Sequence, residues 1–156
     1  MHQTITVSSQ QREQLIDITD NVKAIVKQSG IRNGLISVYV QGATAAIMIQ
    51  ENWDESVQTD VINFLGKIIP NGVWLHDQQD GNGDAHLKSG LVGPSETIPL
   101  INGELGLSTW QNIFLKMNSA AYLENSLSMV PGILRISKYF IKNRSLTYHS
   151  VESVRQ

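Results

Sequence analysis

The dipeptide Asn102-Gly103, set between the apolar runs Glu96–Ile101 and Leu105–Leu107, does most to limit what this chain can fold into. Both residues accept the positive φ that a tight type I′ turn requires, so the flanking runs are expected to pair as an antiparallel hairpin. A further run, Trp110–Leu115, follows closely. Upstream, Gly34–Val40 (GLISVYV) is β-branched and aromatic and is bounded by Gly34 and Gly42, the composition of a strand. Thr4–Val7 alternates, with Ile5 and Val7 on one face. Ala43–Ile49 continues apolar as a candidate paired strand, and Val73–Leu75 is a candidate short one.

Two segments carry helical spacing instead. Asp17–Lys27 has Ile18, Val22, Ile25 and Val26, with Ile16 just ahead, on one stripe and Asp20 in the first turn, and Gly30 suits its end. Asn52–Gly66 has Val57, Val61, Ile62, Phe64 and Leu65 as its buried stripe, with Asn52 or Asp54 to cap the start. Residues 9–15 fit either an early helix or a strand. Locally paired strands beside two main helices argue for an α+β fold: a compact single domain with a mixed or antiparallel sheet.

A chain of 156 residues suffices for one domain with one core. It contains no cysteine, which removes disulfides and thiolate metal sites. The N-terminus lacks a basic stretch followed by an apolar run, and no apolar run approaches the ~20 residues that span a bilayer, so a soluble cytoplasmic protein is expected. The net charge of −2 hides an asymmetry: residues 1–115 carry six Lys/Arg against twelve Asp/Glu, and residues 116–156 carry six against two. The basic residues of the tail are dispersed. That pattern favours a solvated tail, or one docked on the acidic body, over a nucleic-acid patch.

Polar groups crowd around the segments between Glu51 and Gln111. His76-Asp77 closes the short strand, and Asp77–Asp84 (DQQDGNGD) reads as a polar loop. Asp84, His86, Lys88 and Ser89 follow it, then Gly90, Gly93, Ser95 and Thr97. Glycines permit close backbone approach, and Lys88, Ser89 and Ser95 can bind phosphate oxygens. Two histidines and several aspartates can ligate a divalent cation. Against this, the His76…His86 spacing matches no standard zinc motif, single histidines are commonly packed or surface residues, and Asp77, Asp80 and Asp84 lack the glycine placement and terminal glutamate of an EF-hand. Trp110 is more simply a core residue than a stacking platform, with Gln111 on the other side of its strand.

The run Ser95-Glu-Thr-Ile-Pro-Leu-Ile-Asn-Gly103, then Leu105 and Thr109-Trp110-Gln111, resembles the YjbQ family, the secondary thiamine-phosphate-synthase-like proteins. Ile16-Asp17-Ile18-Thr19-Asp20, Thr44-Ala45-Ala46, Glu51-Asn52, His76-Asp77 and Asp84-Ala85-His86-Leu87-Lys88-Ser89 resemble further family segments, and the resemblance covers roughly residues 4–115. It favours a strand over helix for residues 9–15. It implies a YjbQ-like α+β body, a homotrimer, and a polar pocket that takes a small phosphorylated molecule. The implied reaction is a weak condensation of hydroxymethylpyrimidine diphosphate with a thiazole phosphate. On that basis His76, Asp77 and His86 are the catalytic candidates; Thr44, Lys88, Ser89, Ser95, Trp110 and Gln111 the substrate-binding ones; and His76, Asp84 and His86 the ligands of a divalent metal, Mg²⁺ or alternatively Zn²⁺.

The sequence departs from the family pattern at three places. Gly42 stands where a histidine precedes Thr-Thr-Ala-Ala, with Ala43 for the first threonine; Ser108 replaces the glycine before Thr-Trp-Gln; and the Glu-x-Asp-Gly-Pro-Arg ending has no counterpart after Leu115. The domain reading is therefore a YjbQ-like body over 1–115 and a divergent basic segment over 116–156, helical or partly disordered. Ala120–Met129 suits a helix ended by Pro131-Gly132; Ile133–Ile141 fits a helix or a strand; Ser150–Gln156 is expected to fray. The tail is either a replacement that completes the sheet or covers the trimer surface, or the product of a shifted reading frame. The abrupt change in character favours the latter, and a lost final strand would lower solubility. Three functions follow: an altered synthase-type site, a non-catalytic binder of phosphorylated small molecules, or a basic-tailed interaction protein.

Overall fold

The computed structural model describes residues 2–7, 9–118 and 130–137. The elements run β1 (His2–Val7), β2 (Gln14–Asp17), α1 (Thr19–Ser29), β3 (Gly34–Val40), β4 (Ala45–Glu51), α2 (Glu55–Ile68), α3 (Asp77–Asp80), α4 (Gly83–Val92), β5 (Ser95–Ile101), β6 (Glu104–Leu105), β7 (Gln111–Met117) and β8 (Val130–Ser137). They make a five-stranded sheet in the order β1-β8-β3-β5-β6 and a three-stranded sheet in the order β2-β7-β4. Every pairing is antiparallel. The domain is α+β.

One core lies between the sheets. Period-two alternation buries Ile36, Val38 and Val40 of β3 and Ile98 and Leu100 of β5, while Ile47 of β4 and Ile113, Leu115 and Met117 of β7 meet them. Val22 and Val26, four apart on α1, complete the cluster. Asn102 and Gly103 take φ of 55° and 92° between β5 and β6, as the hairpin requires. Gly30 ends α1 in the left-handed region, its N–H donating to the Lys27 carbonyl. Asp54 caps α2 by accepting from the Ser56 N–H.

Several local expectations give way to tertiary placement. Ile16 belongs to β2, not to the α1 stripe, because residues 14–17 pair with β7. In α2 Leu65 is buried, Val57, Val61 and Ile62 are half-buried and Phe64 is 60% exposed, so the apolar stripe there is only partly covered. Val73–Leu75 is not a strand, and Val73 and Leu75 are exposed. The polar segment 77–84 is largely helical: α3 occupies 77–80, and Asp84 lies within α4. The run after β6 joins the other sheet instead of extending the hairpin. β7 is buried from Ile113 to Met117, and so needs a strand on each side and packing on both faces.

The expected boundary at residue 115 falls inside β7, whose Lys116 and Met117 are buried. Within the later segment, Val130–Ser137 pairs with β1 on one side and β3 on the other. An interior strand here leaves β3 no bare edge, so the lower solubility expected from a missing final strand is no longer anticipated. The expected helix at 120–129 lies outside the described residues, as does the expected fraying at 150–156.

Candidate functional site

α4 carries polar residues on its buried face. Asp84, Ala85, Lys88 and Ser89, spaced at i, i+1, i+4 and i+5, all point inward, while Leu87 and Leu91 are exposed. The Asp84 carboxylate accepts from Arg12 (2.7 Å), Asn71 (3.0 Å) and Lys88 (2.8 Å). The Lys88 ammonium also donates to Glu13 (2.6 Å), and Glu13 accepts a second bond from Lys116 at 3.2 Å. Asp84, Lys88 and Lys116 are almost completely enclosed. Burial works to raise the Asp84 pKa, but the Lys88 hydrogen bond and charge, joined by the Arg12 charge, outweigh it and hold the carboxyl below its ordinary value. Burial pushes the Lys116 ammonium down, against the pull of Glu13.

This network reassigns three sequence candidates. Asp84 is committed to three donors inside the body and is withdrawn from the ligand set by its burial. The Lys88 charge is compensated between Glu13 and Asp84 instead of facing a phosphate. The Ser89 hydroxyl accepts from Asn118 at 3.0 Å. Arg12, Glu13, Asn71, Lys116 and Asn118 were not singled out from the sequence, because their partners lie up to 103 residues away. The Asp84–Lys88 pair at i, i+4 was the one available signal.

The metal-capable groups sit at the other surface of α4. His76, Asp80 and His86 can bring one ligand atom each within 4.8 Å of the others. His76 Nε2 lies 3.3 Å from Asp80 Oδ1, and the two imidazole rings meet edge to face at 4.9 Å. Helix turn α3 makes this possible by placing Asp80 one turn beyond His76. Asp77 holds the assembly shut: its carboxylate accepts from the Trp74 N–H and the Gly83 N–H, both at 2.8 Å. Asp77 therefore positions the loop that carries His76, with both oxygens engaged by backbone. A Cβ at Gly83 would lie 2.9 Å from both Asp77 Oδ1 and Trp74 Cβ. Gly83→Ala is accordingly expected to cost about 1–3 kcal/mol through overpacking, read as a lower midpoint in urea unfolding, and to displace the His76 loop. A cavity of about 460 Å³ adjoins the histidines, lined by Trp74, Leu75, Gly83 and Leu87 besides His76 and His86.

The remaining candidates are dispersed. Thr44 is half-buried and its carbonyl accepts from the Asn118 N–H. Ser95 is exposed at the start of β5. Trp110 is half exposed, stacked edge-on against Trp53 at 4.5 Å, and is not a core residue. Gln111 is also exposed, and its side chain closes the Ser108–Gln111 turn by accepting from the Ser108 N–H. Gln111 lines a different, larger cavity of about 690 Å³ between α1 and residues 103–112.

A family model described as UPF0047 protein YjbQ-like matches residues 3–118. The chain belongs to the YjbQ/UPF0047 family. A UPF0047 protein of Methanocaldococcus jannaschii is 44% identical over 108 residues, covering 69% of this chain and 78% of that protein. A UPF0047 protein of Synechocystis is 39% identical over 117 residues, covering 73% and 80%. Among solved structures, a hypothetical protein of Aeropyrum pernix superposes with a TM-score of 0.80 at 29% identity, over 88% of this chain and 98% of that one. A protein of unknown function from Sulfolobus solfataricus, described as YbjQ-like, gives 0.78 at 32% identity, over 87% and 95%. Where the family pattern carries a histidine, Gly42 is exposed, and an added Cβ would meet only the Ala45 Cβ, at 3.9 Å. Packing does not impose the glycine in this YjbQ-family chain. Among the described residues no helix is long and apolar enough to cross a membrane.

Proposed function

We propose that this YjbQ-family protein binds a small phosphorylated heteroaromatic molecule at the His76–Asp80–His86 cavity through a divalent cation, with weak thiamine-phosphate-forming turnover. The observation that carries the reading is the convergence of two imidazoles and one carboxylate beside a cavity walled by Trp74, Leu75 and Leu87. Two nitrogens and one oxygen suit Zn²⁺ better than Mg²⁺, which prefers oxygen, and three protein ligands leave a position for substrate.

In the condensation, the thiazole nitrogen forms a bond to the methylene carbon of the pyrimidine, the carbon–oxygen bond to the diphosphate breaks, and its electron pair leaves on pyrophosphate. A bound cation would stabilise charge on that leaving group. Trp74, Leu75 and Leu87 offer an apolar surface to the face of the ring, while Asp77 fixes the loop bearing His76. The test is purified protein incubated with both precursors and Zn²⁺ or Mg²⁺, with thiamine phosphate followed by chromatography. Product that requires His86 supports the reading; saturable binding of the pyrimidine diphosphate without product supports the non-catalytic binder instead. Gly42→His, at an exposed position where an added Cβ would meet only the Ala45 Cβ at 3.9 Å, is expected to raise product several-fold if the missing imidazole limits turnover. We also propose assembly into a homotrimer, supported by the exposed apolar side chains Trp53, Phe64, Leu91 and Ile101, and tested by light scattering on the eluting species.

A further inference from the structure

The cavity between α1 and residues 103–112 has a lining distinct from that of the histidine cavity, and the two share no residue. Its charged groups are Lys23, Lys27, Arg32 and Glu104, a net of two positive charges. The surrounding body is acidic: residues 1–115 hold only six Lys/Arg against twelve Asp/Glu. Three of the six Lys/Arg in residues 1–115 thus line one cavity. Lys27 is explained in part by its place in the last turn of α1, where it complements the helix dipole. That does not account for Arg32, which lies beyond the helix, or for Lys23, which lies one turn earlier. Lys23 has a contact with Asp20 at 3.4 Å, but both side chains are largely exposed and such a pair holds weakly.

The cavity is built on fixed backbone. The Gly103 N–H donates to the Arg32 carbonyl at 2.7 Å, and the Asn102 N–H donates to the Asn33 side chain at 3.0 Å. These bonds tie the α1–β3 loop to the β5–β6 turn and keep the guanidinium-bearing residue beside the cavity. Val26, Ile31, Leu105 and Leu107 supply an apolar wall continuous with the core, and Ser108 and Thr109 supply hydroxyls. About 690 Å³ is within the range of small-molecule sites.

We infer that this cavity is a second ligand site, for a small organic anion that pairs a phosphate or carboxylate with a flat apolar body. The cations take the anionic group, Arg32 through its planar fork, and the Val26–Leu107 wall takes the body. The inference is independent of the histidine cavity and survives its failure.

The experiment is a titration of the whole chain with phenyl phosphate, benzoate, phenol and inorganic phosphate, followed through backbone amide shifts. Phenyl phosphate or benzoate is expected to give saturable shifts at residues 27–32 and 103–112, and phenol and inorganic phosphate much weaker ones. The stronger of the two anions identifies the head group. Arg32→Glu and Lys27→Glu, both on exposed side chains, are each expected to weaken binding at least 10-fold with an unchanged circular dichroism spectrum, while His76→Ala leaves it unaltered. Shifts that do not saturate, that survive both charge reversals, or that move instead at His76 and His86 would overturn the proposal. So would protection of residues 103–112 by a second copy of the chain, shown by exchange rates that depend on protein concentration.

Discussion

Asp84→Ala is expected to destabilise the protein by about 3–5 kcal/mol, a large share of the roughly 5–15 kcal/mol that holds a typical domain folded. The change leaves Lys88 enclosed with Glu13 as its remaining acidic partner, and turns Arg12 and Asn71 toward an empty position. Lys116→Met should behave oppositely. The five charges are Arg12, Glu13, Asp84, Lys88 and Lys116, one more positive than negative, and burial already disfavours the Lys116 ammonium. Removing it balances the set and replaces a buried charge by a thioether of similar length, with an expected change between zero and about 2 kcal/mol of added stability. Urea unfolding of both variants decides the matter; equal losses would show that the charges do not act as one network. The pH dependence has a defined sign. Because the Asp84 pKa is lowered on folding, its contribution is fully present above the ordinary carboxylate value of 3.8 and is lost as pH falls through the lower folded-state value. The depressed Lys116 pKa works the other way: its penalty is present at neutral pH and is relieved as pH rises through the folded value toward 10.5. Acid unfolding of wild type should therefore come late, and Lys116→Met should flatten the alkaline rise.

Replacing either histidine of the exposed cluster is expected to reduce Zn²⁺ affinity by at least about 100-fold, since loss of a group that merely orients a ligand already costs ~10–100-fold. Asp80→Asn should weaken binding less, because an amide oxygen still coordinates without its charge. Asp84→Asn is the informative contrast. If Asp80 is the third ligand, Asp84→Asn lowers stability but leaves the affinity of the folded fraction near wild type; if Asp84 ligates, affinity falls. Isothermal titration at a temperature where both variants remain folded separates the outcomes. His76 and Asp80 are each about half exposed, so the substitutions should leave the fold intact, and a lower thermal midpoint in the absence of metal would count against a site role.

The strands and the hairpin were legible because they depend on short-range pattern. β-Branched and aromatic composition between glycines gave Gly34–Val40 with its boundaries, and Asn102-Gly103 announced its own turn. The family segments drew attention to His76 and His86, which the fold brings together. They did not distinguish Asp80 from Asp84, whose difference is rotational. Reading residues 77–84 as loop gave no reason to prefer one; once α3 and α4 form, Asp80 shares a surface with His76, and Asp84 points inward with Lys88. Phe64 and Trp110 show the limit from the apolar side: spacing identifies a stripe, but whether another element covers it is settled elsewhere in the chain.

The sequence by itself determined the class of fold, the family, the antiparallel hairpin and the concentration of polar chemistry between His76 and Gln111. The hairpin and the fold class follow from backbone preference and side-chain periodicity, which act over a few residues, and the family follows from the resemblance of its motif segments. Tertiary structure alone decided that β3 and β4 part into different sheets, that Val130–Ser137 enters between β1 and β3, and that Arg12, Glu13 and Lys116 meet α4. Burying an ammonium or a carboxylate is unfavourable unless opposite charge meets it in the interior. No local pattern in the chain specifies which distant residues will supply that charge.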